Sequence, residues 1–201
     1  MDQKTLSHEM WDAHTHLRDG DILSTVAPLV ARNFWGGIIM PNLQPPVTTQ
    51  RDAINYRDRI LRALGDVEFE PSMTLYLTDN TNPREVVRAF EHGVIKAVKK
   101  YPLHGTTNSD HAVTDLARVE PVLDAMEANG IPLCIHGEEV MYNGEPLNHF
   151  KREPWYIRGE LNEIRERWPN LRISLEHIST KEAAELIRQY GGRDLVATVT
   201  P

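Results

Sequence analysis

The feature that most constrains this chain is a rhythm. Short apolar or β-branched runs, each bounded by Gly, Pro or Asn, alternate with longer stretches of helical pattern. The runs are "WDAHTHL", "GGIIMPN", "SMTLYLT", "GVIKAVKKY", "IPLCIHG", "RISLEHI" and "LVATVTP", which makes seven expected strands. Between them lie "DILSTVAPLVARNF", "QRDAINYRDRILRAL", "NPREVVRAFEHG", "VTDLARVEPVLDAMEANG", "PWYIRGELNEIRERW" and "STKEAAELIRQYGG". Asn82-Pro83 marks a helix entry, Gly93 and Gly130 mark helix stops, and Ser179 with Glu182 three residues on has the spacing of a capping box.

Strand-helix alternation predicts a parallel α/β sheet. An open doubly wound sheet and a closed (β/α)8 barrel both satisfy it. The turn after the first run, "HLRDGD", is not the glycine-rich GxGxxG of a dinucleotide fold, and seven strands exceed the usual open sheet. The expectation is therefore a single (β/α) barrel domain over residues 1–201 with about seven of eight strands. A full TIM-type barrel needs ~250 residues. This chain has 201 and stops on a strand, so it reads as truncated before strand eight: a piece of a longer protein or a naturally short one.

Composition removes several function classes. The net charge is -7 and no long basic run occurs, which argues against nucleic acid or an anionic membrane surface as partner. No apolar run reaches the ~18 residues of a membrane span, and "MDQKTLSHEM" lacks the apolar core of a signal peptide. Cys134 is the single cysteine, so no internal disulfide can form. The expected address is the cytoplasm.

In a barrel of this kind the chemistry sits at the C-terminal ends of the strands. Those ends carry His14, His16 and Arg18 on the first, Asn42 on the second, Lys99 on the fourth, His136 on the fifth and His177 on the sixth. Residues two apart on a strand share a face, so His14 and His16 project together, as a divalent metal requires. Alternation also sorts the lysines of the fourth strand. Lys99 shares the inward face with Ile95 and Ala97, while Lys96 and Lys100 read as an exposed rim. An inward lysine is costly unless neutralised or paired, and no carboxylate partner is evident in sequence. A carbamate, formed with carbon dioxide, would neutralise it. Arg18 has a plainer reading as partner of Asp19 or Asp21. The segment from Leu103 to His111 has the small, polar composition of a mobile lid, with His104 and His111 exposed.

The blocks "HTHLRDG", "MPNLQPPVTT", "YLTDNT", "KKYPLHGTTNS", "IHGE" and "LEHISTKEA", in this order from Trp11 to Pro201, resemble the metal-dependent amidohydrolase superfamily and, within it, the single-function bacterial dihydroorotase family. The resemblance implies zinc-dependent, reversible cyclisation of N-carbamoyl-L-aspartate to L-dihydroorotate in pyrimidine biosynthesis, by a homodimer. It implies two zinc ions, one on His14 and His16, the other on His136 and His177, bridged by carbamylated Lys99. His16, Arg18, Asn42, Thr106, Thr107 and His136 would contact the substrate. The family's acid-base aspartate ends strand eight, which lies beyond Pro201; Asp12, Asp19 and Asp110 do not occupy its place, so no catalytic acid-base is expected in this chain and turnover by it alone should be poor. The alternatives are another cyclic amidohydrolase, hydantoinase- or allantoinase-like, and a non-catalytic assembly partner.

Overall fold

The structure is a computed structural model, and it describes residues 10–199. Strands and helices alternate in the order β1 (Trp11–Thr15), α1 (Gly20–Ala31), β2 (Gly36–Ile39), α2 (Gln50–Leu64), β3 (Glu70–Tyr76), α3 (Pro83–Glu91), β4 (Ile95–Lys100), α4 (Leu116–Asn129) and β5 (Leu133–His136). A two-stranded hairpin, β6 (Met141–Tyr142) and β7 (Glu145–Pro146), interrupts the pattern. Then follow α5 (His149–Tyr156), a π-helical stretch (Ile157–Leu161), α6 (Asn162–Arg167), β8 (Ile173–Glu176), α7 (Lys181–Tyr190) and β9 (Leu195–Ala197).

All seven expected strands form, and they make one sheet in the order β1-β2-β3-β4-β5-β8-β9, every neighbouring pair parallel. Sequential strands that pair in parallel place every strand's C-terminal end on one rim. Among the described residues β1 and β9 pair only with β2 and β8, so the curled sheet is a barrel open along one side. Its strands read as apolar on both faces because both are covered. Ile39, Leu75, Val98, Leu133, Ile135 and Leu175 belong to one continuous apolar cluster with the helix residues Ala27, Ile60, Val86, Leu123 and Ile164.

The helices follow local rules. Thr49 caps α2 by accepting from the Asp52 amide, while the Asp52 carboxylate accepts from the Thr49 amide, a reciprocal box. Buried Ala53, Tyr56, Ile60 and Leu64 then fall three or four apart, one stripe on the sheet. Gly130 ends α4 in the left-handed region, φ +63°, where a side chain would be strained.

Three expectations need correction. The cap of α7 is Thr180, which accepts from the Ala183 amide; Ser179 lies outside the helix and its amide donates to the Glu153 carboxylate instead. The helix read from Pro154 begins earlier, where Asn148 caps α5 by accepting from the Phe150 amide, and Pro154 sits inside it. Lys100 is not on an exposed rim. It is 5% exposed, paired with Glu160 at 2.6 Å and set 5.6 Å from the centre of the Tyr156 ring, whereas Lys96 is exposed as read. The curvature of the sheet and the helices outside it cover both faces at Lys100, so alternation alone does not put it in water.

Candidate metal centre

At the C-terminal rim the side chains of β1, β4, β5 and β8 meet. His14 lies within β1 and His16 just after it. Between Asp12 and Thr15 the pairing of β1 with β2 shifts register, and the Asp12 carboxylate braces this irregularity by accepting from the His14 amide at 3.0 Å and the Thr15 hydroxyl at 2.7 Å. The two imidazoles come together, Nε2 to Nε2 at 3.1 Å. His136 is the last residue of β5, and its ring centre lies 4.3 Å from that of His177, which lies 5.1 Å from that of His14. The structure therefore brings His14, His16, His136 and His177 to one place, and Lys99, on β4, reaches it from below, fully buried.

A residue that sequence reasoning passed over completes the group. Glu176, the last residue of β8, is fully buried and pairs with Lys99, and its Oε2 lies 3.0 Å from His14 Nδ1. The expectation that Lys99 lacks a carboxylate partner is thus wrong. Strict alternation would send Glu176 and His177 to opposite faces. His177 escapes it because its backbone turns into the left-handed region, φ +44°, right after the strand ends, so both side chains serve one site.

The electrostatics suit neutral imidazoles. Burial, helped by the nearby His14, Arg18 and Lys99 charges, lowers the His16 pKa to about 3. Burial, with His136 and Lys99 close by, lowers that of His177 to about 3 as well. Burial pushes the Glu176 carboxyl up, but the Lys99 ammonium and the His14 contact outweigh it and bring its pKa down to about 2. The site thus holds two firmly neutral imidazoles beside one firmly ionised carboxylate.

Among the described residues, no group of three or more His, Cys, Asp and Glu side chains is arranged to hold a metal ion as it stands. The donor set nonetheless fits one. Among the described residues, two buried polar side-chain atoms without a hydrogen-bond partner lie here, Glu176 Oε1 and the Tyr101 hydroxyl. Tyr101 packs 6.4 Å from the His136 ring and 5.0 Å from the Lys99 ammonium, measured between ring centres and to the nitrogen. Buried polar atoms are rarely left unpaired, and soft, neutral imidazole nitrogens are what zinc-like cations take. The Lys99 ammonium is the misfit, and it would have to lose its charge to join them.

The remaining expected residues are placed as follows. Arg18, φ +62°, is partly buried and close enough to His16 and Tyr101 to act on both. It is not the partner of Asp19, which takes a two-pronged contact from Arg59 at 2.9 and 2.8 Å, and among the described residues no carboxylate lies within ion-pair distance of it. Asn42 is buried, and its amide is already engaged: Nδ2 donates to the Thr107 carbonyl at 2.9 Å. Asn108 donates back to the Asn42 carbonyl at 2.8 Å, and the Tyr76 hydroxyl donates to the Asn108 carbonyl at 3.3 Å. Thr106 is tied through both its amide and its carbonyl to Ser109. The Thr106–Thr107 turn is thereby fastened beside the rim. His104 and His111 are exposed, His104 pairing with Asp110.

No protein-family model matches the chain. A dihydroorotase from a Ruegeria species is 50% identical over 190 residues, 94% of this chain and 54% of that protein. Among solved structures, dihydroorotase from Campylobacter jejuni superposes with a TM-score of 0.84 at 36% identity, over 95% of this chain and 54% of that one. Dihydroorotase from Saccharomyces cerevisiae, solved in complex with 5-fluoroorotic acid, superposes with a TM-score of 0.86 at 29% identity, over 97% and 56%. The chain spans about half the length of the curated relatives it matches.

Proposed function

We propose that this chain, homologous to the dihydroorotases along 54% of their length, supplies the metal- and substrate-binding part of a dihydroorotase, which interconverts N-carbamoyl-L-aspartate and L-dihydroorotate. The observation that carries the reading is the meeting of His14, His16, Lys99, His136 and His177, from four separate strands, at one point of the barrel rim. His14 with His16, and His136 with His177, would each hold a zinc ion, and Lys99 as its carbamate would join the two. Bound there, the ions supply Lewis acidity toward an amide carbonyl and make water available as a nucleophile at neutral pH.

The chain's own residues do the rest. Burial keeps His16 and His177 neutral, so their lone pairs stay available at any physiological pH. Arg18 stands beside His16 with no carboxylate of the described chain to occupy it, and its planar fork suits the carboxylate that both N-carbamoyl-aspartate and dihydroorotate carry. Asn42 fixes the Thr106–Thr107 turn next to that position, so its part in binding includes holding the loop whose hydroxyls would face the ligand. Among the described residues no helix is long and apolar enough to cross a membrane.

The test is binding of zinc by the purified chain, followed by titration with 5-fluoroorotate. Two zinc ions should bind tightly, and one of them should be lost in His14→Ala/His16→Ala. The orotate analogue should bind the zinc-loaded chain and lose at least tenfold in affinity in Arg18→Ala. A folded chain that takes up no zinc, or that binds the analogue equally well without Arg18, refutes the assignment. In the complete protein Lys99→Ala should abolish turnover, with partial rescue by short carboxylic acids.

A further inference from the structure

The turn that carries His177 is held from two sides, and one of the two holders is expensive. On the inner side Thr198 accepts from the His177 amide through its hydroxyl at 2.7 Å and from the Ile178 amide through its carbonyl at 3.0 Å. On the outer side stands Glu153, a residue of α5 that is only 6% exposed. Its carboxylate accepts from the Ser179 amide at 3.2 Å, from the Thr180 amide at 2.8 Å and from the Thr180 hydroxyl. Among the described residues no cation lies within ion-pair distance of it. Burying a carboxylate without a counter-charge is costly, and only several strong hydrogen bonds offset it.

We propose that Glu153 is a positioning residue for His177: it clamps the turn 177–180 so that the imidazole of His177 is presented to its metal beside His136. The inference rests on the metal-binding reading above and deepens it. Two observations separate this role from that of a helix cap. Helix α7 has its own cap, because Thr180 accepts from the Ala183 amide, and Glu153 takes no amide from inside the helix. The donors that Glu153 does take, Ser179 and Thr180, belong to the turn that begins at His177. That turn needs holding, since His177 is a non-glycine residue at φ +44°, a strained conformation that persists only where its surroundings enforce it. With the clamp removed, the backbone can relax toward the ordinary region, and the imidazole would swing away from His136.

The experiment compares the chain with Glu153→Ala and Glu153→Gln, using zinc and cobalt(II) as probes. Calorimetric titration reads the two metal affinities, cobalt absorption reads coordination, and the His177 ring resonances are followed in the metal-free chain. The expected result is a fall of about 10- to 100-fold in one of the two affinities, the size seen when residues behind a ligand are lost. The site of His14 and His16 should keep its affinity, and the His177 resonances should shift before any metal is added. Glu153→Gln keeps the volume and one acceptor oxygen, so it should show a smaller loss of the same kind and reports if alanine fails to fold. Unchanged affinities and unchanged His177 resonances in a folded variant overturn the proposal. A parent chain that binds no metal refutes the function reading instead; the His177 resonances then decide the clamp on their own.

Discussion

Replacing Glu176 by leucine is the sharpest test of how the centre of this barrel is balanced. Among the described residues, the change removes the one carboxylate paired with the fully buried Lys99 and the His14 ring. Leucine fills much of the space, so packing is largely kept and the effect is electrostatic. Two routes to the magnitude agree. Removing one partner of a buried ion pair leaves an uncompensated charge and typically costs about 3–5 kcal/mol. The Glu176 pKa, brought from 4.5 down to about 2, corresponds to about 3 kcal/mol of preference for the ionised form. The sign follows from the direction. A carboxyl whose folded pKa is lowered lends stability that is fully present above its unfolded value, near 4.5, and is lost as the pH falls toward 2. In chelator at pH 7, urea unfolding of Glu176→Leu followed by circular dichroism should show a loss of about 3–5 kcal/mol, or a fall in Tm of about 10 °C. The second replacement Lys99→Met should recover most of it, because the orphaned charge goes too. A single variant within about 1 kcal/mol of the parent would refute the argument, since Lys99 would then have to be content without its carboxylate.

Asn42→Ala removes the side-chain donor to the Thr107 carbonyl but keeps the backbone carbonyl that Asn108 binds, so amide exchange at Thr107 and Asn108 should quicken roughly two- to tenfold, in line with about 0.5–1.5 kcal/mol for one bond, while the rest of the chain is unchanged. Gly36→Ala would place a Cβ 2.8 Å from the Glu70 carbonyl and 2.4 Å from the Trp11 ring; the carbonyl belongs to the sheet and cannot yield, and denaturant unfolding should show a loss of about 1–3 kcal/mol. Burial raises the Asp19 carboxyl, but its contacts with Arg59 and the Gly20 amide prevail and lower its pKa, so Asp19→Asn should destabilise above about pH 4 and make no difference in strong acid. The pair is more than a third exposed, so that loss should stay near about 0.5 kcal/mol and shrink in salt.

The strands were legible because each is a short, doubly covered element, and for such elements an apolar run between turn residues is a complete description. The four histidines and Lys99 were legible for a related reason: parallel alternation puts every strand's C-terminal end on one rim, so residues 14 to 177 become neighbours without any knowledge of distance. What escaped is local backbone geometry that overrides period-two counting. The β6–β7 hairpin turns on Asn143 and Gly144, both at positive φ, a dipeptide that signals such a turn; it was readable, but hidden between two longer elements. Glu176 was hidden more deeply. In "SLEHIS" alternation allows only one of Glu176 and His177 to face the interior, and the metal pattern claims the histidine, so the glutamate is assigned by default to the outside. The left-handed step at His177 cancels that choice. Nothing in the side chain of histidine announces such a step, because its causes are elsewhere in the chain: the Thr198 hydroxyl on one side of the turn and the Glu153 carboxylate on the other. The histidine is written in the sequence at one position, but the conformation that brings it to the rim site depends on residues 21 positions after it and 24 before it.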